Sequence, residues 1–212
     1  MTANVKSFNV TVVSLVKNLL IVGAGGLGRE VASWAVAGLK NNPGWAVAGF
    51  LDDNPNALDG KKTAVPLVGS IAGFVPSCDT IVVIAIGNPS IRRRLHEDLR
   101  TKGAQFANVL HPTAIVAEGV RLGGGVVLAP FSILSANSFI DDGAVINYYA
   151  VIQHDAHVGR GCYISSHGNI GGGSVLGQEV LVGTHSVVPP GAHVPNHSVI
   201  SAGAVFVSDN RF

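Results

Sequence analysis

A chain of 212 residues with 47% hydrophobic and only 13% charged residues, against a usual ~25% charged, is too apolar to be disordered. Fourteen basic and thirteen acidic residues leave a net charge of +1, which offers no field for a nucleic-acid backbone. The mean hydropathy of +0.40 raises the question of a membrane span. Yet the best apolar run, Val10 to Val22, is broken by Ser14, Lys17 and Asn18 and falls short of the ~20 residues a spanning helix needs.

In chain order, residues 1–17 form an N-terminal extension without a motif, in which Asn9 to Val16 reads as an added strand or a loose arm. No signal-peptide cleavage site accompanies it. Cys78 and Cys162 have no metal spacing and are too few for a disulfide framework, so a cytoplasmic, metal-free protein is expected. Asn18 to Val22 reads as a buried strand. Gly23-Ala24-Gly25-Gly26-Leu27-Gly28 follows, then a helix from Arg29 to about Leu39. Ala46 to Leu51 is a second strand, ending in Asp52-Asp53, and Thr80 to Ile86 a third, ending in Gly87-Asn88-Pro89. Ser90 to Lys102 reads as a helix capped by Ser90. Within it Arg92-Arg93-Arg94, accompanied by Glu97 and Asp98, reads as a solvated face.

Strands alternating with helices predict a small Rossmann-like α/β domain over residues 18–109, a parallel sheet covered on both faces. Ligands of such sheets lie beyond the carboxyl ends of the strands. Gly23, Gly25, Gly26, Asp52, Asp53, Gly87 and Asn88 all fall there and are the candidate substrate-binding residues. Glycines let a phosphate approach the backbone at a helix N-terminus, and an acidic residue after the second strand is placed to accept a ribose hydroxyl. The plainer reading is that the glycines only permit a tight turn and close helix packing. A nicotinamide oxidoreductase competes, but roughly 90 residues are short for a full dinucleotide fold.

From Leu110 the pattern changes. Stepping by six to Phe206 meets 17 positions, of which 16 are Val, Leu or Ile. Those three types supply only 61 of 212 residues, so the period is not chance. The residue four places after each is mostly small, from Ala114 and Ser132 through Cys162 to Ala204. This hexapeptide repeat predicts an all-β parallel helix over residues 110–212. The fourth hexad position is rich in residues that tolerate positive φ. His167, His185 and His197 occupy it and read as corner residues rather than ligands. His111 reads as a junction residue and His157 as an outward side chain.

Together the two halves resemble the nucleotide-sugar acetyltransferases of the sialic acid O-acetyltransferase and UDP-4-amino-sugar N-acetyltransferase type. The segments that carry the likeness are Ile21 to Gly26, Phe50 to Asp53, Ile84 to Asn88 with Ile91-Arg92, Leu110 to Ala114, Ile146-Asn147 and Val151 to Asp155. The resemblance implies a left-handed β-helix with three hexads to a coil, and a homotrimer. The first domain would bind the nucleotide of a sugar, and acetyl-CoA would lie along the prism between subunits. It puts a general base at His154, oriented by Asp155, and Asn147 near the acceptor. Tyr163, Gly172 and Ala202 fall on the acetyl-CoA side. Gly172 lies one coil from His154, where its amide is a candidate oxyanion donor and its missing side chain leaves room for the acetyl group. Many members carry His where Leu27 stands here, and some where Tyr163 stands. The expected function is acetyl transfer to an amino or hydroxyl group of a nucleotide-linked amino sugar or a sialic acid. The alternative is a non-catalytic sugar-nucleotide-binding scaffold on the same fold.

Overall fold

The computed structural model describes residues 16–38 and 44–207. The expected arm over Asn9–Val16 therefore lies, apart from Val16, outside the described residues, as does Leu39. The α/β lobe runs β1 (Lys17–Val22), α1 (Gly26–Gly38), β2 (Trp45–Leu51), β3 (Leu67–Gly69), β4 (Thr80–Ile84) and α2 (Pro89–Thr101). Its strands form one parallel sheet in the order β3-β2-β1-β4. Alternation along β1 sends Leu19 and Ile21 to the side covered by α1, and Leu20 and Val22 to the side where Leu99 of α2 packs.

Three local expectations are corrected. Helix α1 begins at Gly26, not Arg29, because the glycine loop itself winds the first turn and Arg29 N–H donates to Gly25 O at 3.1 Å. The cap of α2 is Asn88 rather than Ser90: its Oδ1 accepts from Ile91 N–H at 3.0 Å, and Pro89 occupies the first turn, where its missing N–H costs nothing. Strand β3 was not expected. It is three residues long and carries no alternation to announce it.

The second half is a three-sided prism of two-residue parallel strands. Its first face holds β5 (Val109–Leu110), β8 (Val127–Leu128), β11 (Val145–Ile146), β14 (Tyr163–Ile164), β17 (Leu181–Val182) and β20 (Val199–Ile200). The second holds β6 (Ile115–Val116), β9 (Ile133–Leu134), β12 (Val151–Ile152), β15 (Asn169–Ile170) and β18 (Val187–Val188). The third holds β7 (Arg121–Leu122), β10 (Phe139–Ile140), β13 (His157–Val158), β16 (Val175–Leu176) and β19 (His193–Val194). Each strand pairs with the residues 18 positions on, as Val145 with Tyr163 and Val151 with Asn169.

The second residue of each strand points inward, and from Leu128 to Ile200 these aliphatic side chains are buried in one core. Dispersion contacts in so narrow a column leave no room for bulk at the corner, hence the small fifth hexad residue. Buried serines there stay satisfied by turning back on the chain. Ser132 Oγ donates to Ala129 O at 2.8 Å and Ser174 Oγ to Gly171 O at 2.6 Å. Every fourth hexad residue from Gly119 to Gly203 has positive φ, including Asp155 at 59°, His167 at 60°, His185 at 58° and His197 at 62°. The three histidines are corner residues, as the pattern requires.

The α/β lobe covers the lower part of the first face. Val127, Ala129 and Val145 share a core with Trp34 and Ala35 of α1. Helix α2 lies on the corner after the third face. There Arg92 is fully buried and Glu179 accepts hydrogen bonds from Arg93 and His197. No helix among the described residues is long and apolar enough to cross a membrane.

Candidate active site

The first component is a cleft of about 410 Å³ at the carboxyl ends of β1, β2 and β4. Gly23, Gly25, Gly26, Asp52, Asp53 and Gly87 all line it, together with Leu27, Ile71, Ile86, Ile91, Arg94 and Leu95. The glycines divide by role. Gly23 sits at φ +100°, and a Cβ on Gly28 would meet Gly23 O at 1.9 Å, so these two serve the turn and the packing. Gly25, Gly26 and Gly87 face open space, which leaves their backbone bare to the cleft. Asp52 braces the loop: its Oδ2 accepts from Ala24 N–H at 2.8 Å and its Oδ1 from Asn54 N–H at 2.9 Å. Asp53 Oδ1 accepts from Ala72 N–H at 3.0 Å. Asn88 is not among the lining residues; it caps α2.

The second component lies on the first face of the prism, beside the α/β lobe. Asn147 Nδ2 donates to the Tyr163 hydroxyl at 2.8 Å, and Asn147 Oδ1 accepts from Tyr148 N–H at 2.7 Å. Burial raises the Tyr163 pKa above its ordinary value, so the ring stays a neutral phenol. Tyr148 stands edge-on to Trp34 at 5.2 Å. Glu30 lies near it, its carboxyl held above the usual carboxylate range by burial although Tyr148 and Arg29 pull it down.

The third component is the corner after the second face. His154 Nδ1–H donates to Asp155 Oδ2 across 2.8 Å. Asp155 thus serves both the left-handed corner and the imidazole, and its carboxylate selects the tautomer that leaves Nε2 as the acceptor. Gly172 lies under the ring: a Cβ there would stand 2.7 Å from His154 Nε2. The imidazole therefore occupies the place a side chain at residue 172 would take. Beyond it Gly173 and Gly191, stacked on Asp155 along the corner, face open space. Tyr163 and Ala202 do not join this corner. Tyr163 is on the first face, and Ala202 lies on the corner that follows β20.

His111, His157, His167 and His185 have structural settings of their own. His167 stacks on His185 at 4.4 Å and on Tyr149 at 5.0 Å. His111 shares a hydrogen bond with Thr113 at the junction, 2.9 Å. His157 stacks on Phe139 at 4.8 Å, and its Nε2 is enclosed without a hydrogen-bond partner among the described residues. Burial pushes the Cys162 thiol up to about 12, which removes it as a nucleophile.

The arginine run is the main residue-level miss. It is not one solvated face. Arg92 Nε donates to Gly143 O at 2.8 Å and Nη2 to Gly161 O and Cys162 O at 2.6 and 3.0 Å, while Nη1 reaches Gly87 O at 3.2 Å. Burial lowers this guanidinium to about 10, so it remains a cation at neutral pH and pins the cleft wall to the prism. Arg93 pairs with Glu97 and Glu179. Arg94 lines the cleft. A helix turns about 100° per residue, so three consecutive residues had to point three ways; that spacing was the available signal.

An α/β lobe with a bare glycine loop, set on a hexapeptide prism whose corner holds an imidazole–carboxylate pair, defines the hexapeptide acyltransferases as the class. Residues 18–99 match the family described as PglD N-terminal domain. The chain is 31% identical over 143 residues to the GDP-perosamine N-acetyltransferase of Escherichia coli O157:H7. It is 33% identical over 116 residues to the UDP-N-acetylbacillosamine N-acetyltransferase of Bacillus subtilis. These matches take in 66% and 53% of this chain and 63% and 51% of the two relatives, so the chain spans less than two thirds of the curated relatives' length. Among solved structures, PerB of Caulobacter crescentus, in complex with CoA and GDP-perosamine, superposes with a TM-score of 0.78 at 30% identity over 92% of this chain and 90% of that one. The acetyltransferase domain of PglB from Neisseria gonorrhoeae gives 0.82 at 27% over 91% and 92%. The chain belongs to the nucleotide-sugar acetyltransferase family.

Proposed function

We propose that the protein moves the acetyl group of acetyl-CoA to the free amino group of a nucleotide-linked amino sugar, with His154 as general base and Asp155 as its orienting partner. The observation that carries this reading is the His154–Asp155 pair at 2.8 Å on an open corner of the prism. Relatives that act on perosamine and bacillosamine support an amine over a hydroxyl acceptor. Acetyl-CoA supplies the activated acyl group, and the bare corner over Gly173 and Gly191 suits an extended chain running up from His154. Nε2 of His154 takes the proton of the attacking amine as the nitrogen–carbon bond forms. It returns the proton to the departing thiolate as the carbon–sulfur bond breaks. His154→Ala should cut turnover roughly 10²- to 10⁴-fold with the melting temperature unchanged; near-normal turnover rejects the base. The competing reading, a scaffold without catalysis, predicts no saturable heat when acetyl-CoA is titrated into the protein.

A homotrimer with the active site between subunits completes the reading. The side chains of His154 and Asp155 are 67% and 60% exposed in one chain, too open for a site that must exclude water. Asn147 lies on another side of the prism, and the nucleotide cleft is in the α/β lobe. The second face presents Ile115, Ile133, Val151 and Val187 outward, interrupted by Asn169, with Ile115 57% exposed, a mostly apolar strip suited to burial against a second copy. Co-expressing His154→Ala with Asn147→Ala should restore about one site in four if each site draws the two residues from different subunits of a closed ring. No recovery assigns both residues to one chain. The two free cysteines and the need for acetyl-CoA argue for the cytoplasm as its compartment.

A further inference from the structure

We infer that Arg94 is the side chain that holds the diphosphate of the nucleotide-linked sugar in the cleft. The inference rests on the nucleotide reading above and adds the residue that binds the charged group.

The cleft has two unlike walls. On one side Asp52 and Asp53 present carboxylates, each already accepting backbone amides. A diphosphate laid against that wall would face two anions at close range. On the other side α2 presents Ile91, Arg94 and Leu95. Arg94 is the one cation among the described residues that line the cleft. Its neighbours in the run are spent: Arg92 is buried on backbone carbonyls and Arg93 is paired with Glu97 and Glu179. Arg94 is exposed and pairs with no carboxylate among the described residues. The bare backbone of Gly25, Gly26 and Gly87 opens onto the same space. A planar guanidinium bonds phosphate oxygens in pairs. The diphosphate therefore lies between the glycine loop and Arg94. The ribose and base lie toward Asp53 and Ile71, where a carboxylate meets hydroxyl and N–H donors instead of phosphate oxygens.

The test is a calorimetric titration of wild-type protein, Arg94→Ala and Arg94→Lys with UDP and GDP and with the matching nucleosides. Wild type should bind one diphosphate more tightly than its nucleoside. Arg94→Ala should lose roughly 10- to 100-fold in diphosphate affinity with nucleoside affinity and melting temperature unchanged, and Arg94→Lys should recover part of it. The wild-type preference for the diphosphate should also fall with added salt. An Arg94→Ala variant that binds the diphosphate as well as wild type overturns this inference alone. A wild-type protein that binds neither diphosphate overturns the nucleotide reading and this inference with it.

Discussion

At the scale of single residues, identity of type concealed divergence of role. Three adjacent arginines became a buried pin, an ion-pair partner and an exposed cation lining the cleft. Replacing the pin, Arg92→Met, strands the carbonyls of Gly143, Gly161 and Cys162 in a dry contact and should cost about 3 kcal/mol, measured by urea unfolding. Gly172 was legible as a special position, but not for its reason: the imidazole itself lies over it. Gly172→Ala brings a methyl to 2.7 Å from His154 Nε2 and must tilt the ring. A misplacement of that order costs about 10²-fold in turnover, with little change in melting temperature. Asp155 separates its two duties. Asp155→Gly relaxes a left-handed corner, where glycine is favoured by roughly 1 kcal/mol, while it removes the carboxylate from Nδ1. Thermal melting should hold or rise as kcat falls; a loss of both together would deny the division of roles.

At the scale of elements, periodicity was readable wherever the packing repeats. The six-residue step from Leu110 to Phe206 encoded the faces, the inward aliphatic column and the left-handed corners. Each hexad meets the same surroundings, so each demands the same residue types. Helix α2 obeys another rule. It buries Pro89, Arg92, His96 and Leu99, a helical stripe that includes two polar residues, and so the sequence alone suggested a solvated face. His96 stacks on Phe106 at 3.8 Å with Nε2 3.2 Å from Gly124 O. Burial holds its pKa below the ordinary value, with Arg100 and Arg160 pushing the same way and Asp142 opposing. The folded state thus resists a proton that the unfolded chain takes at about pH 6.5. Stability from this contact is complete above that pH and is lost as pH falls through the lowered folded value. The urea midpoint of wild type should drop from about pH 7.5 to pH 5 by more than that of His96→Phe; equal drops exclude His96 as a source.

At the scale of the whole molecule, the prism is a column whose coils support one another, and the α/β lobe is fastened to it by Arg92, by the Arg93–Glu179 pair and by the apolar contact of α1. Ile152→Ala, in mid-column, should cost about 2–5 kcal/mol and lower the melting temperature without altering the His154–Asp155 pair. By itself the sequence determined the repeat, the positive-φ corners, the glycine loop at the strand ends and the adjacency of His154 and Asp155. These depend on local geometry and short periods, which a linear pattern records directly. Only the tertiary structure decided which arginine is buried, that Asp52 braces the loop, that Tyr163 bonds Asn147 and stands away from His154, and that the cleft belongs to the α/β lobe while Asn147 and His154 stand on different sides of the prism. Those outcomes depend on which surfaces meet across scores of residues, and two surfaces in contact share no period along the chain.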